Sequence, residues 1–193
     1  GTDPRTGYQL GLRTGAVEDL TSCEHLWDAF GAQLHHFVEI KMRGNQIIEQ
    51  MYASHMPAPF LSVITDDCIK KGKDYNAGGA RYNNSYIQFV GIGSLTDSLS
   101  ALRQWVFDEQ AISLRDLTGA IDADFAGRED LRQRLLNRTR KYGNDDDYAD
   151  ELMVRAFRAI FTEVDGRPNS KGGRYRVEML PTTCHVYFGS VTG

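Results

Sequence analysis

The chain has 193 residues, 41% hydrophobic and 25% charged, which is enough apolar material for one domain or for one piece of a larger domain. A formal charge of −4, a pI near 5.7 and the lack of any long Lys/Arg stripe argue against nucleic acid or an anionic membrane as the main partner. Three cysteines at wide spacing with no CxxC fit reduced thiols in the cytoplasm better than a disulfide framework, and no membrane-length apolar run is present.

The first fifteen residues, rich in Gly, Thr and Arg, read as irregular chain with a short extended piece. Thr21 and Glu24 form a capping-box pattern. Apolar residues then recur at helical spacing through Leu26, Phe30, Leu34, Phe37, Ile40, Ile47, Ile48 and Met51, predicting a helix from about Ser22 to Ser54 with a bend near Gly44. Pro57 and Pro59 end that helix, and Pro59 opens a second one running to Lys71 with Gly72 as its C-cap.

A glycine-rich loop then leads into an apolar strand at Tyr86–Val90, which passes through Gly91-Ile92-Gly93 into a helix capped by Ser94 and Asp97. Ser113 and Asp116 cap the next helix. Two more are predicted at Leu131–Asn137 and Asn144–Val164, the latter stopped by Gly166-Arg167-Pro168. A final strand, Tyr175–Gly189, alternates and then becomes continuously apolar, as in a mixed or parallel sheet. The fold class is therefore α/β and helix-rich.

Gly91-Ile92-Gly93 resembles the start of a dinucleotide fingerprint, but Thr96 stands where the third glycine belongs, and close packing of strand against helix is the plainer explanation. Arg81, in Gly78-Gly79-Ala80-Arg81, either holds a carboxylate ligand or pins its own loop. His35 and His36 diverge by roughly 100° on a helix and cannot share an ion, and Asp145-Asp146-Asp147 lacks calcium-loop spacing, so no metal is expected. On the last strand, alternation puts Thr182 and Cys184 on one face and Thr183 and His185 on the other, which separates Cys184 from His185 as a nucleophile pair.

Four blocks, KDYNAGGARYN, YIQFVGIGSLTDSLSAL, KYGNDDDYADELM and GGRYRVEMLPTTCHVYFG, resemble the glycyl radical enzymes, the superfamily of pyruvate formate-lyase, in their dehydratase branch. The resemblance runs from the GTDPRTG start to the last residue. It implies that residues 1–193 are one segment, the central portion of a ten-stranded α/β barrel with helices outside. In this family a glycyl radical relays to a cysteine thiyl that abstracts hydrogen from the substrate. A Glu two residues after that Cys serves as base, and water leaves or a neighbouring bond breaks.

Neither the Gly-Cys-Val-Glu thiyl motif nor the Arg-Val-Ala-Gly-Tyr radical loop occurs in this sequence, so the isolated piece is expected to be inactive and none of Cys23, Cys68 or Cys184 inherits the thiyl role. The resemblance carries one position over: Thr182, the first Thr of PTTCH, matches a pocket position of the hydroxyproline dehydratase branch, with Thr183 and His185 behind it. The resemblance further implies no directly bound cofactor but a glycyl radical as a post-translational modification of the full-length protein. Its expected partners are a small-molecule substrate, a radical S-adenosylmethionine activating enzyme and a second copy in a homodimer, in anaerobic cytoplasm. Two rivals are an autonomous phosphate- or nucleotide-binding module built on Gly91 and Gly93, and a non-catalytic interaction fragment.

Overall fold

The computed structural model describes residues 1–3 and 5–180. They form seven α-helices and two strands: α1 (Cys23–His55), α2 (Pro59–Ile64), α3 (Cys68–Lys71), β1 (Ser85–Phe89), α4 (Ile92–Ala101), α5 (Leu114–Asp122), α6 (Glu129–Arg138), α7 (Asp147–Val164) and β2 (Tyr175–Met179). The described chain separates into two compact units, one of Gly1–Leu34, Val90–Ala159 and Leu180, the other of His35–Phe89 and Ile160–Met179.

The element order follows the sequence pattern, and the departures have local causes. The predicted second helix is two, because Asp67 takes a left-handed conformation at φ 75° and interrupts the run between α2 and α3. Pro59 does open α2, and Gly72, at φ 61°, closes α3 with its N–H on the carbonyls of Cys68 and Ile69. At the start of α1 the cap is Ser22, whose Oγ accepts the His25 N–H at 3.2 Å, while Thr21 pairs with the His25 ring instead. Gly44 is absorbed into an unbroken helix.

In the first unit, Trp27, Leu99, Leu152 and Ala156 form a buried cluster, with Leu26, Phe30, Ile92 and Leu95 packed against it. The indole of Trp27 meets the Phe30 ring edge-on at 5.7 Å. Helix α4 runs on into a π-helical stretch, Leu102–Asp108, in which the Glu109 N–H reaches back five residues to the carbonyl of Gln104. That wider turn holds Trp105 buried, its indole N–H on Thr139 Oγ1 at 2.9 Å. Helix α5 begins as expected, Ser113 Oγ accepting the Asp116 N–H at 3.0 Å.

In the second unit β1 and β2 pair in parallel, from Ser85 opposite Tyr175 to Phe89 opposite Met179. The buried stripe of α1 here runs through Val38 and Met42, and that of α7 through Ile160 and Val164. The predicted stripe of Phe37, Ile40, Ile47, Ile48 and Met51 is instead exposed, because α1 is apolar on two sides and the described residues cover only one of them.

Backbone approaches fix the entrance to the sheet. A Cβ on Gly78 would strike the carbonyl oxygen of Lys171, one on Gly79 that of Lys73, and one on Gly173 that of Asn83. Asn169 completes the clamp, donating to Asn83 O at 2.5 Å and Ser85 Oγ at 2.9 Å while accepting the Gly173 N–H at 2.7 Å. Gly79→Ala should therefore destabilise the chain by about 1–3 kcal/mol, read as a lowered midpoint in chemical denaturation.

The loop after α1 is tied down by Asp74, whose carboxylate accepts Ser62 Oγ at 2.7 Å and the N–H groups of Asn76 and Ala58 at 2.8 and 2.9 Å. The Ser62 bond above all holds the carboxyl below its ordinary range. A carboxyl lowered in the folded state stabilises above its unfolded pKa and loses that contribution as pH falls. Asp74→Asn should lower the melting temperature at neutral pH and flatten the decline in stability between about pH 5 and pH 2.

Candidate functional site

The two parallel strands end together at Phe89 and Met179, and in parallel sheets ligands gather beyond the carboxyl ends. Pleating divides the side chains into two sets. Ser85, Ile87 and Phe89 lie with Tyr175, Val177 and Met179 on the face turned to α1, where Ser85 Oγ donates to Glu49 Oε1 and Tyr175 is fully buried. Burial pushes the Tyr175 phenol up. Tyr86, Gln88, Arg176 and Glu178 make the opposite face, and Tyr86 and Gln88 are exposed. On it the Gln88 side-chain amide donates to Glu178 Oε2 at 3.2 Å, and Arg176 pairs with Asp165 at 2.9 Å.

The sequence reading of Tyr86–Val90 as an apolar strand did not draw out this polar face, although it had the last strand alternating from Tyr175. The signal is present, as YxQ in β1 and RxE in β2, polar residues at period two.

The other candidates resolve differently. Helix α4 starts at Ile92 with Gly91 as N-cap at φ 87°, so Ser94 is inside the helix and accepts Ser98 Oγ at its carbonyl, and Asp97 accepts the Tyr142 N–H at 3.0 Å. Among the described residues a Cβ at Gly91 or Gly93 would meet nothing within 4 Å, so these residues do not supply the close packing expected there; Gly91 supplies the left-handed turn. Arg81 is engaged by Asp67, at 3.3 Å through Nε and 3.2 Å through Nη2, and by Asp66 at 3.3 Å, which pins the loop.

His35 contacts Glu163 at 2.8 Å. Of the acidic triplet, Asp147 opens α7, Asp146 caps it through the Tyr148 N–H and binds Arg140, and Asp145 precedes them at φ 53°. Among the described residues no three His, Cys, Asp or Glu side chains gather as a metal site, and no helix is long and apolar enough to cross a membrane. Thr182, Thr183, Cys184 and His185 lie outside the described residues.

The first unit contains a cleft of about 290 Å³ beside Cys23 and Trp27. Its cations are already used: Arg155 grips both Glu24 oxygens at 2.7 and 2.5 Å and lies over the Trp27 ring, while Arg103 sits between Asp108 and Glu151 over the Tyr148 ring. Burial, reinforced by Glu24, pushes the Cys23 thiol up and away from nucleophilic thiolate character. This is a structural ion-pair network.

The chain belongs to the pyruvate formate lyase-like family, whose model matches residues 1–189. It is 53% identical over 193 residues to trans-4-hydroxy-L-proline dehydratase of Clostridioides difficile, covering 100% of this chain and 24% of that protein. The crystal structure of that hydroxyproline dehydratase with trans-4-hydroxy-L-proline bound matches with a TM-score of 0.95 over 100% of this chain and 24% of the other. The B12-independent glycerol dehydratase of Clostridium butyricum matches at 0.90 with 36% identity, over 97% of this chain and 24% of that one. A glycyl radical enzyme of Archaeoglobus fulgidus matches at 0.84 with 35% identity, over 98% and 24%. The segment thus spans 24% of the length of these relatives.

The two glycines give a direct check on how the strand end is built. Gly91→Ala should cost about 1–2 kcal/mol through its positive φ. Gly93→Ala, in the first turn of α4 and with no described residue within 4 Å of the added methyl, should be neutral or stabilising by about 0.5–1 kcal/mol. Paired denaturation midpoints for the two variants measure the difference.

Proposed function

We propose that the polypeptide containing this segment is a glycyl radical dehydratase that removes water from a small hydroxylated substrate, with trans-4-hydroxy-L-proline as that substrate. The observation that carries this reading is 53% identity across all 193 residues to the hydroxyproline enzyme, against 36% to the glycerol dehydratase. A phosphate- or nucleotide-binding module is not favoured, since the relative that is 53% identical over all of this chain is a dehydratase.

In this reading residues 1–193 contribute wall and pocket to a ten-stranded α/β barrel, and helix α1 belongs to its outside. The thiyl cysteine, its base and the radical glycine are supplied by other parts of the polypeptide. The radical is a modification of the polypeptide itself, installed by a separate radical S-adenosylmethionine activating enzyme, and the assembled enzyme is a cytoplasmic homodimer. Thr182 contacts the substrate, its hydroxyl offering a hydrogen bond to a carboxylate or hydroxyl group, with Thr183 and His185 behind it. Support for Thr182 comes from the resemblance of the PTTCH block to the hydroxyproline dehydratase branch, together with 53% identity to that enzyme across the chain.

The test is anaerobic activation with S-adenosylmethionine and the activating enzyme. The isolated segment should give no glycyl radical doublet by electron paramagnetic resonance, whereas the full polypeptide should give one and should consume trans-4-hydroxy-L-proline. Thr182→Ala in the full polypeptide should raise KM about tenfold with the radical signal intact. A radical doublet in the segment, or an activated full polypeptide that leaves hydroxyproline untouched, defeats the reading.

A further inference from the structure

Helix α1 has a second apolar face that the described residues leave uncovered. Phe37, Ile40, Ile47, Ile48 and Met51 are each between 44% and 57% exposed. At 100° per residue they fall within about 60° of the line through Gly44, roughly 140° around the helix from Val38, Met42 and Glu49. Those three make the side turned to the sheet, where Val38 and Met42 are buried and Glu49 accepts the Ser85 hydroxyl. The exposed stripe therefore points away from the sheet. It runs for about 21 Å at 1.5 Å per residue, and the one charge within its bounds is Lys41, at the margin. A continuous apolar stripe of this kind marks an interaction surface.

The spacing of the stripe says what fits it. Phe37, Ile40, Gly44, Ile48 and Met51 follow one another at steps of three, four, four and three residues, a pattern symmetric about Gly44. Two copies of α1 laid antiparallel about a two-fold axis at Gly44 bring Phe37 level with Met51 of the partner subunit and Ile40 level with Ile48 of the partner subunit. Glycine then meets glycine at the centre. A two-fold interface demands this self-complementarity, because the same patch serves both sides, whereas a helix of unrelated sequence imposes no symmetry on the face it covers. Gly44 itself agrees with a close crossing. Glycine weakens a helix interior relative to alanine, and among the described residues a Cβ at position 44 would meet nothing within 4 Å, so packing within the segment does not explain it.

We propose that the exposed face of α1 is the interface between two copies of this polypeptide, packed antiparallel about Gly44. The assignment rests on the homodimer of the reading given above and supplies its contact surface; it does not depend on the substrate. Phe37, Ile40, Ile48 and Met51 interdigitate across the axis, and the aliphatic stem of Lys41 covers the rim while its ammonium stays in water.

The experiment uses the full polypeptide, with sedimentation velocity for the assembly state and a non-reducing gel after mild oxidation for the register. A double variant, Ile40→Cys with Ile48→Cys, should run as a covalent dimer, since each thiol introduced at position 40 lies level with position 48 of the other copy. Each single variant should run as a monomer on that gel, because like positions are then separated by eight residues, about 12 Å along the helix. Gly44→Leu should raise the dimer dissociation constant at least about tenfold. A monomeric unsubstituted polypeptide overturns the assignment. So does a dimer whose double variant cross-links no more than the single ones, the result expected if a helix of the same polypeptide covers this face. If Gly44→Leu fails to fold, the cross-linking decides alone. Dehydration of trans-4-hydroxy-L-proline by the unsubstituted protein keeps the two readings apart: turnover without the cross-link removes only the interface, and the cross-link without turnover removes only the substrate reading.

Discussion

The parallel pairing of β1 with β2 is the constraint on which the second unit depends, because it joins residues 90 positions apart with five rungs of backbone. Parallel strands cannot be joined by a tight turn, so a long crossover is compulsory, and here it consists of α4 to α7. Closing so long a loop is entropically costly, and the cost is offset at the entrance to the sheet. There Asn169, Glu49 and the glycines at 78, 79 and 173 lock the register before the first rung. A slip of β1 by one residue against β2 would turn Gln88 toward α1 and Ile87 away from it.

Much of this was legible from the residues. Ser113 with Asp116, Pro59 and Gly72 mark helix ends through backbone chemistry that acts within a few residues, and all three do so in the structure. Thr21 and Ser94 are failures of the same reasoning. Several hydroxyls stand near each helix start, and which one caps depends on where the preceding chain arrives, as Ser22 and Gly91 show. The break at Asp67 and the π turn after α4 were not legible, since both are fixed by partners far away in sequence, Arg81 for the first and Thr139 for the second.

The family was legible because four blocks of side chains match in order, whereas a pocket is a property of faces. Reading β1 as apolar hid Gln88, and the exposed stripe of α1 shows the converse error, in which periodicity found an apolar face but could not say which of two was covered. Arg81 shows a third case. Residue type suggested a ligand contact or a loop anchor equally, and the presence of Asp66 and Asp67 across the loop decides for the anchor.

The left-handed turn at Gly91 lies in sequence between the last rung of β1 and the first turn of α4, and among the described residues nothing would meet a Cβ there within 4 Å. At φ 87° any L side chain would strain that turn, so the helix start is encoded in the one atom that position 91 lacks rather than in any capping hydroxyl.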